Sequence, residues 1–230
     1  IDIGVKDDRP GGRIVGVRGR EADIVNRGRL GPKGLYGWAA NASADRLTHP
    51  LVRRGERFEP ASWNEAMDTI VNRVKDAKTN YTAGSIGFYT SGQLFAEENY
   101  TLGVIRTAGI GTLHIDGNTR LCTATAGAAL KETFGADGQP STYADIDVTD
   151  CFLFVGHDMA ATATVLWARV LDRRRTDASS KMVVIDPRRT ATAAEADLHI
   201  QPRLGTNVAV LNGLIRELIE QGYADRAFVD

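Results

Sequence analysis

Apolar and polar residues alternate in IDIGVKD and again in RIVGVRG, with Asp8-Arg9-Pro10-Gly11-Gly12 between the two runs. A period of two puts every second side chain on one face of an extended strand, and the Pro/Gly step reverses the chain, so residues 1–19 predict a β-hairpin. The alternation then stops. Residues 26–38, NRGRLGPKGLYGW, are rich in glycine and carry Arg27, Arg29 and Lys33, and residues 39–60 read as loop. At Ser62 the period becomes helical: Ala66, Ile70, Val74 and Ala77 share one face of SWNEAMDTIVNRVKDAK, and Ser62 with Glu65 forms a capping box.

From residue 84 onward, short apolar runs alternate with helical ones. Strands are predicted at GSIGFYT (84–90), TLHI (112–115), CFLFVG (151–156), KMVVIDP (181–187) and ADLHIQP (196–202). Helices are predicted over 95–109, 123–134, 162–175 and 207–222. Apolar strands alternating with helices imply a parallel sheet covered on both faces. The fold class is α/β: a small β-rich amino-terminal segment over residues 1–50, then a Rossmann-like α/β domain with a mainly parallel sheet over residues 51–230. The chain opens Ile1-Asp2-Ile3 inside a strand pattern, without an initiating methionine, and stops at Phe228-Val229-Asp230 just after a helix. The expectation is an amino-terminal piece of a longer polypeptide.

Composition narrows the function classes. With 28 basic and 29 acidic side chains the net charge is −1, so no basic excess points to nucleic acid. No apolar run approaches the roughly 18–20 residues of a membrane span. Cys122 and Cys151 are the only cysteines, too few and too far apart for a disulfide framework or a local pair of metal ligands.

In a parallel α/β sheet, ligands bind in the loops beyond the carboxyl ends of the strands. Here those loops are Thr90-Ser91-Gly92-Gln93, Asp116-Gly117-Asn118, Gly156-His157-Asp158-Met159, Asp186-Pro187-Arg188-Arg189-Thr190 and Arg203-Leu204-Gly205-Thr206-Asn207. Each joins a small residue, which lets backbone approach a ligand, to a hydrogen-bonding side chain. Asp186 suits a ribose hydroxyl or a guanine edge, and Arg188 and helix amino termini suit phosphate. The set suggests a nucleotide-bearing ligand, although neither GxGxxG nor GxxxxGK[ST] occurs. Cys122 stands in DGNTRLCTATAG among small residues and threonines, beside Arg120 and before a helix, unlike a core cysteine. Cys151 opens a buried strand and reads as structural. Of the four histidines only His157 falls in one of these loops.

The ordered set NRGRLGPKG, SGQ, NTRLCTATA, TYADIDVTDCFLFVGHDMA, VVIDPRRT and LGTNVAVLN resembles the molybdopterin-guanine-dinucleotide oxidoreductases, the dimethyl sulfoxide reductase family, across essentially the whole chain. That resemblance implies bis-molybdopterin guanine dinucleotide with molybdenum or tungsten, ligated by Cys122, whose soft thiolate suits such a metal. It places Gln93 and Asn118 against the pterin near the metal. Val155 to Thr162, including Gly156, His157, Asp158 and Met159, match a loop that wraps one dinucleotide. Asp186, Pro187, Arg188 and Thr190, with Gly205, Thr206 and Asn207, match loops around its nucleotide end. Lys33 matches the lysine between an iron–sulfur cluster and a pterin.

Two positions depart from the family pattern. Many members carry a [4Fe-4S] cluster whose fourth cysteine falls two residues before the lysine, where this chain has Gly31. The cluster has another ligand, is altered, or is absent. Formate dehydrogenases place a histidine directly after the metal-binding residue, where this chain has Thr123. Together with the 133–160 stretch, this resembles nitrate reductases more closely and implies oxygen-atom removal from nitrate. Formate dehydrogenase is the alternative, and a scaffold relative like the large iron–sulfur subunit of respiratory complex I is the non-catalytic one. A small oxyanion substrate, an electron-donor protein and a cytoplasmic setting are expected.

Overall fold

The computed structural model describes residues 1–8 and 10–229; Arg9, within the predicted hairpin turn, and Asp230 lie outside the described residues. The chain groups into two units, residues 1–43 with 141–230, and residues 44–140.

In the first unit, the predicted hairpin is formed by β1 (Asp2–Lys6) and β2 (Arg13–Arg18), antiparallel with a bulge between Gly4 and Val5. The glycine-rich stretch contains a short helix, α1 (Pro32–Tyr36), continued by a 3-10 turn over Gly37–Ala42. Proline at its first position has no N–H to leave unsatisfied. The sheet of this unit is parallel, in the order β7 (Cys151–Val155), β8 (Lys181–Ile185), β9 (Leu198–Ile200). Between β7 and β8 run α6 (Met159–Thr162) and α7 (Thr164–Thr176); α8 (Ala191–Ala194) follows β8, and α9 (Asn207–Glu220) and α10 (Arg226–Val229) follow β9. The central strand supplies Met182 and Val184, both with no exposed surface, to a core completed by Phe152, Met159, Val170 and Ala193. Phe152 stacks on Phe154, which meets the Trp167 ring edge-on at 6.2 Å.

β7 is an edge strand of this sheet, and that corrects the reading of Cys151. The strand alternates: Phe152 turns into the core, while Cys151 and Leu153 are exposed on the other face. The short apolar run CFLFV thus has one wet face, and its cysteine is not buried.

A buried arginine ties the amino-terminal loop to α7. The Arg169 side chain, 4% exposed, donates from Nε and Nη2 to the two carboxylate oxygens of Asp147, at 2.9 and 2.7 Å. Its Nη1 donates to the carbonyls of Ile24 and Val25, both at 3.2 Å. Arg27 also reaches Asp147, and Arg29 pairs with Asp172 at 2.6 Å.

In the second unit, the stretch read as loop contains an antiparallel hairpin, β3 (Leu51–Arg54) and β4 (Arg57–Pro60). Next comes the predicted helix, α2 (Trp63–Asn80). Ser62 accepts the Glu65 amide as expected, but the Glu65 carboxylate pairs with Arg54 instead of reaching back, so only half of the capping box forms. β5 (Phe88–Thr90) pairs in parallel with β6 (Ile115–Gly117), and α3 (Ala96–Val104), ending in a π-helical turn over Ile105–Ile110, connects them. β6 lies three residues beyond the start predicted at Thr112. The Thr112 hydroxyl is buried, donating to the Ile86 carbonyl at 2.9 Å and accepting the His114 amide, so this segment is fixed by a side chain before the ladder begins. The helix expected over 123–134 is α5 (Ala124–Phe134), preceded by a separate turn, α4 (Thr119–Cys122). No helix among the described residues is long and apolar enough to cross a membrane.

Candidate functional site

In the second unit, the register Thr90↔Gly117 brings the chain out of β5 and β6 side by side. The Asn118 amide donates to the Thr90 carbonyl at 3.0 Å, and its side-chain oxygen accepts the Gly92 amide at 3.1 Å. These two bonds join the turn carrying Gln93 to the turn carrying Asn118. A Cβ at residue 92 would meet Thr119 Cγ2 at 3.0 Å, so the joint depends on a small residue there. Gln93 is exposed, and its amide donates to the Ser91 hydroxyl.

Cys122 ends α4 one turn beyond Asn118. Thr123, at φ −131° and ψ 0°, leaves the helical region, and α5 starts anew at Ala124. The thiol is therefore carried on a break between two helices, exposed, free of a disulfide and close in sequence to the Asn118–Gly92 joint. Arg120 is engaged elsewhere. Its Nε donates to Asp116 Oδ2 at 3.0 Å, which with the Gly117 amide holds that carboxyl below its ordinary pKa. A concave surface of about 420 Å³ beside α4 and α5 is lined by Asp116, Thr119, Thr123, Gly127, Lys131 and Asp137, without Cys122. No three His, Cys, Asp or Glu side chains gather as a metal site among the described residues.

In the first unit, the loops after β7 and β8 interlock. Gly156 has φ +61°, a left-handed conformation that side chains other than glycine rarely take, and its amide donates to the Ile185 carbonyl at 2.8 Å. The Thr162 hydroxyl donates to the Asp158 carbonyl at 2.8 Å and lies 2.9 Å from His157 Nε2. A hydroxyl has a single proton, so His157 donates here and its neutral tautomer is Nε2–H. Asp158 Oδ1 accepts from the hydroxyl and the amide of Thr192, at 2.8 and 3.3 Å. Met159 has its side chain in the core, 7% exposed, and offers a ligand only its backbone.

Asp186 caps β8 and is 3% exposed, with Oδ1 accepting the Arg188 amide at 2.7 Å. Two side chains of β9 and its extension brace this turn: His199 Nε2 donates to the Asp186 carbonyl at 2.8 Å, and Gln201 donates to the Pro187 carbonyl at 3.2 Å. The Arg188 guanidinium stays exposed, 3.8 Å from Asp186. Thr190 is turned inward, its hydroxyl accepting the Ala193 amide as the cap of α8. Gly205, Thr206 and Asn207 form the turn into α9, where the Thr206 hydroxyl donates back to the Arg203 carbonyl.

Lys33 is exposed on α1, and Gly31 caps that helix. The approach of α7 explains the glycine in part: a Cβ at residue 31 would lie 2.9 Å from Thr164 Oγ1.

The expected residues fall into two groups, Gln93, Asn118 and Cys122 in one unit and the dinucleotide loops with Lys33 in the other. Thr192, absent from that set, is the side chain that joins the β7 and β8 loops. Its only signal in sequence is a second threonine two positions after Thr190.

A profile of the molybdopterin oxidoreductases matches residues 46–227. The periplasmic nitrate reductase of Desulfovibrio desulfuricans is 37% identical over 95% of this chain and 29% of its own length. The α subunit of the F420-dependent formate dehydrogenase of Methanocaldococcus jannaschii is 32% identical over the whole chain and 32% of its own length. Among solved structures, acetylene hydratase from Pelobacter acetylenicus superposes with a TM-score of 0.73 over 99% of this chain and 31% of that enzyme, at 24% identity, a likeness of fold. The chain spans about a third of the length of these relatives. With four-fifths of its residues under one family profile, the chain belongs to the molybdopterin oxidoreductase family.

Proposed function

We propose that the chain forms part of a molybdenum or tungsten enzyme that carries bis-molybdopterin guanine dinucleotide and reduces nitrate. The observation that carries this reading is the thiol of Cys122, exposed on the break between α4 and α5 and free of a disulfide. A thiolate is a fitting ligand for a soft metal and supplies a single bond, so the remaining ligands come from the cofactor. When bound, that group supplies the two-electron chemistry that removes an oxygen atom from an oxyanion.

The residues of the first unit fit a dinucleotide. Open space surrounds the Cβ positions of Gly156 and Gly205, so a ligand can meet the backbone there. Asp186 is a buried acceptor for an N–H or O–H group, and the exposed Arg188 provides a cation for phosphate. His157 donates from Nε2 to Thr162, which leaves its Nδ1 lone pair to accept a hydrogen bond from a ligand.

An iron–sulfur cluster fits less well. Gly31, at the position of the expected fourth cysteine, offers iron no ligand. An electron-donor protein and a cytoplasmic setting belong to the proposal.

Nitrate is preferred because Thr123 follows Cys122 and the nitrate reductase of D. desulfuricans is 37% identical. The formate dehydrogenase similarity over the whole chain supports oxidation of formate as the second reading. The test is metal analysis and turnover of the full-length protein and its Cys122→Ala variant. Stoichiometric molybdenum or tungsten, turnover with nitrate, and a loss of more than about 100-fold in Cys122→Ala are expected. Turnover with formate alone overturns the substrate. Protein free of both metals, made with cofactor supply intact, overturns the enzyme in favour of the scaffold.

A further inference from the structure

Thr192 is wholly buried on α8, the short helix after β8. Its hydroxyl donates to Asp158 Oδ1 at 2.8 Å and accepts the Ala160 amide at 2.9 Å. Its own amide donates to the same Asp158 oxygen at 3.3 Å. One hydroxyl thus uses both its donor and an acceptor position across a gap of more than 30 residues of sequence. The groups it holds are the two sides of the β7 loop: the carboxylate that follows His157, and the first turn of α6. On its own side, Thr192 lies two residues after Thr190, which caps α8, and six after the buried Asp186.

We infer that Thr192 is a positioning residue that sets the spacing of the loops after β7 and β8, and through it their hold on the nucleotide end of the dinucleotide. The inference rests on the reading that these loops bind the nucleotide. The chemistry is that of a buried hydroxyl with no solvent to replace it. Without the oxygen, the Ala160 amide loses its acceptor and Asp158 loses the shorter of its two bonds from Thr192. The Asp158 carboxylate then keeps only the longer bond from the Thr192 amide, and the β7 loop is held less firmly. Both exposed recognition groups, the Gly156 backbone and Arg188, flank this joint and move with it.

Valine has the shape of threonine without the hydroxyl, and serine keeps the hydroxyl without the methyl. The full-length holoenzyme is made as wild type, Thr192→Val and Thr192→Ser, and dialysed; molybdenum and guanine nucleotide retained per chain are followed with time. Thr192→Val is expected to release both about tenfold faster, the size of one net hydrogen bond, and Thr192→Ser to release them near the wild-type rate. Amide exchange gives a readout apart from the cofactor: the Ala160 amide is protected in wild type and Thr192→Ser and exposed in Thr192→Val, with β8 amides unchanged. Release from Thr192→Val at the wild-type rate overturns the inference. A fast-exchanging Ala160 amide in the wild-type protein also overturns it, even where Thr192→Val does not fold. Asp186→Asn and Arg188→Ala separate this outcome from the underlying reading, because retention of nucleotide in both shows that these loops do not bind it.

Discussion

The strand ends of the two units are built to different standards of rigidity. After β7 and β8 the loops are pinned by side chains with almost no exposed surface, Thr192, Asp186 and Thr190, above a core that includes Met182 and Val184. After β5 and β6, Gln93, Asn118 and Cys122 are all exposed, the joint consists of two hydrogen bonds, and Ile110 is the single buried apolar residue of that unit among those described. The difference follows what each end is proposed to hold. A nucleotide is recognised by many weak hydrogen bonds at fixed spacing, which reward a preformed cradle. A metal takes one thiolate through one strong bond, which requires the sulfur to be reachable more than it requires the surroundings to be rigid.

The largest test of this contrast compares truncations in the two units. Met182→Ala removes a side chain with no exposed surface from the centre of the β7–β9 sheet and is expected to cost 2–5 kcal/mol, about the range for deleting a core Met or Leu. Ile70→Ala on α2 truncates a side chain that is 54% exposed and is expected to stay within about 0.5 kcal/mol. Chemical denaturation of both variants checks the pair. Equal costs would erase the distinction between the units.

The same contrast marks where the sequence was legible. β7, β8, α7 and α9 fall within two residues of their expected starts, because burial on a packed sheet writes apolar runs such as MVVI into the chain. The β3–β4 hairpin was not legible. Its strands, LVRR and RFEP, carry Arg53, Arg54, Arg57 and Glu59 on exposed positions and have no apolar face to print a period. The site followed the same logic. Glycine and aspartate at strand ends gave the loops, whereas Thr192 was invisible because its role lies in a bond to a residue 34 positions earlier. Asp158 was visible, but as a group for a ligand; the structure spends one of its oxygens on Thr192. Likewise Glu65 looked like a cap until Arg54, on an unpredicted strand, took its carboxylate.

A second test concerns the strap between the amino-terminal loop and α7. Hydrogen bonds from Arg169, with help from Arg27, hold the Asp147 carboxyl down at about 2, below the ordinary carboxylate value of 3.8. A depressed carboxylate stabilises the fold above its unfolded pKa and loses that contribution as pH falls through the folded value. The contribution is therefore complete above about pH 5 and fades toward pH 2, and amounts to about 1–2 kcal/mol once the partial exposure of Asp147 is allowed for. Asp147→Asn leaves Arg169 buried without a counter-charge, at a cost of about 3 kcal/mol at pH 7. The stability gap between wild type and Asp147→Asn is expected to narrow between pH 5 and pH 2.5. A gap independent of pH would mean that packing, not charge, fastens the loop.

A smaller effect than at Met182 or Asp147 is expected at Gly31, and it separates two reasons for a glycine there. Its backbone, φ −76° and ψ 173°, is open to any residue, so conformation does not demand glycine. Space does, because the added Cβ would lie 2.9 Å from Thr164 Oγ1. That oxygen is on a side chain at the start of α7 and can turn away, at about 0.5–1.5 kcal/mol for a displaced rotamer. Gly31→Cys is thus expected to lower stability by about 1 kcal/mol, and Thr164→Ala in the same chain to remove most of that loss, a coupling read from a double-mutant cycle. Additive costs would show that Thr164 is not what excludes a side chain. Iron content of full-length Gly31→Cys protein then addresses the chemistry. A rise in iron would mean that the missing thiol alone kept a cluster from forming. Unchanged iron with the steric cost relieved would mean that residue 31 is shaped by its packing against α7 and owes nothing to a metal.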